Sequence, residues 1–166
     1  MDMRAKKTNR SIKNAFLQLR ARKPVERITV KELSELAGIS KATFYLHYQD
    51  IFDLSEQMEY EVIQNIIADV VGSGIDVFDT LEFSRKMHVS FSAHQVLINT
   101  LFSGGQSAVL PLKIEQGVKE EILRKHRIIG QKRAADIRQR KNVSFYLIVS
   151  VLWHDNQAVK PRLPAR

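Results

Sequence analysis

An all-α fold is the class this sequence predicts, and three observations carry it. Apolar residues recur at intervals of three and four along most of the chain, as they do in helices with one buried face. Only seven glycines and four prolines interrupt its 166 residues. Between the periodic runs stand residues that start or stop helices. At this length and with 44% apolar residues, the chain buries a core without a metal or disulfide staple. The absence of cysteine excludes disulfide and thiolate chemistry. The expected organisation is an N-terminal three-helix domain, residues 1–49, joined by a long helix to a helical C-terminal domain, residues 50–166.

Each element has its own signal. Ile12, Ala15, Phe16 and Leu19 fall at i, i+3, i+4 and i+7 and predict a first helix from Thr8 to Lys23, stopped by Pro24. Thr29 followed by Glu32 reads as a capping box that opens a second helix through Leu33, Leu36 and Ala37. Gly38 breaks that helix, Ile39 plugs the core, and Ser40 caps a third helix, Lys41 to Tyr48. Asp50 then caps a longer fourth helix whose Leu54, Met58, Val62, Ile63, Ile66, Ile67 and Val70 keep helical spacing up to Gly72. Val77, Phe78, Leu81, Met87 and Phe91 predict one further helix, and Val96 to Phe102 another, ended by Gly104 and Gly105. Pro111 suits the first turn of the next, in which Leu110, Ile114, Val118 and Ile122 step by four. A basic stretch follows, Arg124 to Lys141, with eight Lys/Arg and one Asp. The helix predicted over Val143 to Trp153 is apolar nearly all round and must be buried, in the core or against a partner. The tail HDNQAVKPRLPAR, from about residue 154, has two prolines and no periodicity, and is expected to be disordered.

The formal charge is +8 and strongly uneven. Met1 to Gln49 holds eleven Lys/Arg against four Asp/Glu, whereas Asp50 to Val70 holds none against six. A basic block beside an acidic one describes a docking face with an edge, and the basic block favours a polyanionic partner such as nucleic acid. No apolar run reaches the roughly 18 residues of a membrane span, and the basic N-terminus lacks the apolar region of a signal peptide. The expected setting is therefore the cytoplasm, with no membrane partner.

The second and third helices, with a four-residue turn containing Gly38, have the sequence form of a helix-turn-helix preceded by a supporting helix. In such a unit the second helix enters the major groove of DNA. Lys41 and Ala42, in its first turn, then meet base edges, the lysine donating to guanine and the alanine touching a thymine methyl. Thr43, Tyr45 and His47 supply hydroxyl and imidazole donors suited to phosphates, which fix register without reading sequence. Phe44 and Tyr48, four apart, pack inward.

The run ITVKELSELAGISKATFYLHYQDIFDL resembles the DNA-binding signature of the tetracycline-repressor (TetR/AcrR) family. Its marks are Thr29, the ELAG turn, Ser40 and above all the Thr-apolar-Tyr-x-His-aromatic run from Thr43 to Tyr48. The match covers Thr8 to Leu54. The resemblance implies an all-α homodimer on a palindromic operator, with a C-terminal domain that binds a small-molecule effector and spreads the two reading heads through the fourth helix. It also implies that Thr29, Ser40, Thr43, Tyr45 and His47 contact phosphates and that Lys41, Ala42 and Leu46 face bases. Two departures stand out. The family usually carries a lysine at the start of the fourth helix, where this chain has Ile51. Family members commonly end in two long dimerising helices, and here only Val143 to Trp153 is evident.

Phe83, Met87, Phe91, Ile98, Leu101 and Phe102 are candidates to line the effector pocket, although such stripes are also plain core. For His88, His94 and His126 no metal-ligand spacing exists, so no metal or other cofactor is expected. No Gly-rich phosphate loop, nucleophile elbow or carboxylate pair points to catalysis, and the chain is not expected to be an enzyme. The rival to a DNA-binding regulator is a protein-interaction module that retains the head but binds DNA weakly.

Overall fold

A computed structural model describes residues 3–71, 80–103 and 109–126. Among these residues the chain forms six α-helices and one short 3-10 helix, and no strand, so the all-α class holds. In chain order they are α1 (Met3–Arg20), the 3-10 turn Val25–Arg27, α2 (Val30–Ala37), α3 (Lys41–Tyr45), α4 (Ile51–Val71), α5 (Thr80–Leu101) and α6 (Leu110–His126). The chain divides into two compact units, Met1–Val62 with Val96–Ser107 and Ile63–Gln95 with Ala108–Arg166. Helices α4 and α5 each run through both units.

In the first unit, α1 buries Ile12, Ala15, Phe16 and Leu19, the stripe read from its spacing. The helix starts and stops earlier than predicted. After Arg20 one tighter bond, Arg22 N to Leu19 O, joins the ordinary helical bonds of Ala21 N to Leu17 O and Lys23 N to Leu19 O. Pro24 then opens the 3-10 turn, which buries Val25. Arg20 itself is buried. Its guanidinium donates to Lys23 O at 3.5 Å, Leu101 O at 3.2 Å and Ser103 O at 3.1 Å. These carbonyls close α1 and α5, where helix ends lack partners and cations are favoured. Lys13 pairs with Glu61, which ties α1 to α4.

Helix α2 begins with half of the expected capping box. Thr29 Oγ1 accepts from Glu32 N at 3.2 Å, but the Glu32 carboxylate accepts from Lys23 Nζ and does not turn back to the cap. A nearby cation outcompetes one backbone amide for that carboxylate. At the start of α4, Asp50 caps as expected, and Asp53 completes a reciprocal exchange. Asp53 N donates to Asp50 Oδ1 and Gln49 N to Asp53 Oδ2, both at 2.8 Å. The Gln49 amide and the Gln57 side chain hold the Asp53 carboxyl below its ordinary range.

The inner face of α4 is as predicted, with Leu54, Met58, Val62, Ile63, Ile66, Ile67 and Val70 all buried. Helix α5 is not. The two helices expected around Val77 to Phe91 and Val96 to Phe102 are one helix of 22 residues over the described part. Leu81 and Val96, counted as apolar anchors, are 81% and 80% exposed. The buried residues of α5 are Phe83, Met87, Ser90, Phe91, Ile98 and Leu101, all on one face of the helix. In the second unit, Ser90 Oγ donates to Asp69 Oδ2 at 2.8 Å, linking α5 to α4. Pro111 sits in the first turn of α6, where Leu110, Ile114 and Val118 are buried. A Cβ on Gly117 would stand 2.2 Å from Ile67 Cδ1, so α6 packs against α4 at a distance that suits glycine. The Ile122 side chain, Gly104 and Gly105, the basic run beyond His126, the helix predicted over Val143 to Trp153 and the tail lie outside the described residues.

Candidate nucleic-acid interface

The turn between α2 and α3 is built by two residues. Gly38 adopts a left-handed conformation, φ 67° and ψ 36°, which a side chain resists. Its N–H donates to Glu35 O at 3.3 Å, and Ile39 N donates to Ser34 O at 3.0 Å. This pair of bonds satisfies the last carbonyls of α2 and turns the chain sharply. Ser40 then caps α3. Its Oγ accepts from Thr43 N at 3.0 Å and lies 2.8 Å from Thr43 Oγ1. Only one of the two hydroxyl protons is used between them, so the other is free to donate outward.

Helix α3 is shorter than predicted, ending at Tyr45 instead of Tyr48. Beyond it the chain continues in a turn, with His47 N and Tyr48 N both donating to Phe44 O. The inward residues are the expected ones. Phe44 is fully buried and Tyr48 nearly so, their rings 5.8 Å apart. Tyr48 Oη donates to Asn9 Oδ1, which fastens the end of the recognition segment to α1. Burial, with lesser effects of Glu61 and Asp53, pushes the Tyr48 hydroxyl up to about 12, while the Asn9 bond opposes the rise.

The opposite face is open. Lys41, Ala42, Tyr45 and Leu46 are exposed, Leu46 by 84% and Tyr45 by 57%, and Thr43 and His47 are half-buried. Phe44 braces the Tyr45 ring edge-on, centroids 5.5 Å apart at 82°, so the phenol is held on the outer side. The His47 ring leans on Tyr48 at 6.4 Å. Thr29 and Ser40, at the starts of α2 and α3, are exposed as well. All eight residues singled out from the sequence therefore reach solvent within one short segment. Ile51 is buried, so this place in the chain belongs to packing.

The pocket candidates fare differently. Phe83, Met87, Phe91, Ile98 and Phe102 are all buried along one face of α5 and its end. The first three fall in one compact unit and the last two in the other. Such a face is also what packing alone produces. Among the described residues no group of three or more His, Cys, Asp or Glu is placed to hold a metal. No helix among them is long and apolar enough to cross a membrane. Sequence reasoning missed Asn9 and Arg20. Asn9 works through a partner distant in the chain, and so do two of the three Arg20 bonds, which no local pattern announces.

This geometry defines a helix-turn-helix protein with an exposed recognition face. Over 80 residues the chain is 29% identical to the uncharacterised HTH-type transcriptional regulator YxbF of Bacillus subtilis (strain 168). That match spans 48% of this chain and 19% of the relative's length. No family model and no solved structure matches the chain.

Proposed function

We propose that this chain is a DNA-binding transcriptional regulator of the TetR/AcrR type, a repressor that binds a palindromic operator as a homodimer and is retuned by a small-molecule effector. The observation that carries the reading is α3 itself. Phe44 and Tyr48 bury one side of a five-residue helix, while Lys41, Ala42, Tyr45 and Leu46 stand exposed on the other. An apolar side chain as open as Leu46 suits contact with a thymine methyl, and Lys41 suits the acceptors of guanine. Thr29, Ser40, Thr43, Tyr45 and His47 take the phosphates. The similarity to a helix-turn-helix regulator supports the same class.

A second reading, a protein-interaction module, draws on α5. Leu81, Val89 and Val96 are exposed and fall within about 80° of one another around that helix, an apolar stripe open to a partner. The same stripe serves a homodimer equally well. One experiment separates the readings: selection of bound duplexes from a random pool at about 150 mM salt, where non-specific binding is weak, beside light-scattering mass determination. An enriched inverted repeat with a dimer mass supports the regulator. No enrichment from an intact dimer favours the interaction module.

A further inference from the structure

The head carries a second cationic surface that the helix-turn-helix leaves unused. Arg4, Lys6, Lys7 and Arg10 are exposed on the first two turns of α1. Met3 to Arg10 holds these four cations and no carboxylate. Lys6, Lys7 and Arg10 enter no ion pair among the described residues, in contrast to Lys13 and Lys23, which pair with Glu61 and Glu32. The helix dipole does not explain the cluster. Cations at the positive end of a helix repel that end and one another, so this turn weakens the helix that carries it. A polyanion bound there removes both repulsions.

The location says which polyanion. Asn9 accepts the Tyr48 hydroxyl and Lys13 pairs with Glu61, so this stripe of α1 faces the end of the recognition segment and α4. At 100° per residue, Lys6 and Arg10 lie on the flank adjoining the Asn9–Lys13 stripe, within about one turn of Asn9. Tyr48 follows α3 by three residues. Lys6 and Arg10 therefore stand beside the C-terminal end of the segment whose outer face carries Lys41, Tyr45 and His47.

We infer that Lys6 and Arg10 form a second DNA contact, gripping backbone phosphates that flank the bases met by α3. The inference rests on the DNA-binding reading above. These residues add affinity and salt dependence without sequence preference, because lysine and arginine on phosphates carry no base information. Each lost phosphate contact lowers the slope of log affinity against log salt by about 0.9.

The test compares the full chain with Lys6→Ala/Arg10→Ala and with Tyr45→Ala. Fluorescence anisotropy follows binding to an enriched duplex and to a scrambled duplex of the same length, at salt from about 50 to 200 mM. The double variant is expected to keep its helical signal and to melt no lower than the parent, since removing cations from the positive end of α1 relieves repulsion. Its salt slope should fall by about 2 per protomer, and its affinity by about tenfold or more, equally on both duplexes. An unchanged slope in the double variant, with binding lost in Tyr45→Ala, overturns the inference and leaves the DNA-binding reading standing. Unchanged duplex binding with lost binding to phosphatidylglycerol/phosphatidylethanolamine vesicles also overturns it, in favour of a membrane surface. If the parent binds neither duplex at the lowest salt, the DNA-binding reading fails and takes the inference with it.

Discussion

Helices α3 and α5 are specified in opposite ways. With five residues, α3 is far too short to be stable alone, since nucleation outweighs so few backbone bonds. It exists because Gly38 and Ser40 fix its entry and because Phe44 and Tyr48 anchor its inner side. Helix α5 has 22 residues and a buried face that runs from Phe83 to Leu101. Its specification is spread over many side chains, none decisive. A short helix held by a handful of residues presents a well-defined outer face, and each of its supports is correspondingly costly to remove.

The largest expected effect follows directly. Phe44→Ala removes a fully buried aromatic ring from a helix with no length to compensate, and should destabilise the first unit by about 3–5 kcal/mol. Urea unfolding of the full chain checks this. A loss under about 1 kcal/mol would mean that the caps alone hold α3, and the contrast with α5 would collapse.

Next comes Tyr48, through pH. Its hydroxyl ionises near 12 in the folded chain, against the ordinary value of 10 when unfolded. Between those values the unfolded chain sheds the proton first, so stability falls as pH rises from 10 to 12, by about 2 kcal/mol. Below pH 10 the full contribution is present. Tyr48→Phe loses the bond to Asn9 and about 1 kcal/mol at neutral pH, but it also loses this alkaline decline. Unfolding curves of both proteins across pH 9 to 12 compare the slopes directly, since the transition lies between the ordinary and shifted values. Parallel curves would show that Tyr48 is not the residue that ionises late.

Gly38→Ala sits third. Nothing lies within 4 Å of a Cβ built there, so the cost is purely that of holding a side chain at φ 67°, about 1–2 kcal/mol. The variant should unfold at lower urea with an unchanged slope. A neutral result would place the turn's definition in Ser40 and Ile39 instead.

The same contrast explains what was legible in the sequence. Gly38, Ser40 and Asp50 act on their own neighbourhoods, so the turn, the start of α3 and the start of α4 could be read from residue types alone. The inner stripe of α4 was also plain, because seven apolar residues keep one period without a rival. Helix α5 was misread because Leu81 and Val96 are apolar yet face outward. Periodicity marks which residues share a face but not which face is covered. Glu32 shows the reverse failure: its position fits a capping box, but Lys23, nine residues away, takes its carboxylate. The Asn9–Tyr48 bond and the Arg20 clamp lie at separations of 39 and 81 residues, where no local pattern operates.

The smallest expected effect on stability tests the other side of the comparison. Leu81 and Val96 touch solvent on a helix whose specification lies elsewhere, so Leu81→Ser/Val96→Ser should shift stability by only about 0.5 kcal/mol. A larger loss in dilute protein would mean that this stripe supports the fold and that the buried face of α5 is not sufficient. Light scattering on the same samples adds a second readout. If the stripe joins two copies, the double variant moves the mass from dimer toward monomer while its helical signal stays intact. DNA affinity then falls more steeply with dilution, because a palindrome needs two heads held together. If mass and stability both stay unchanged, the stripe plays no part in joining two copies, and a dimer must form through another surface.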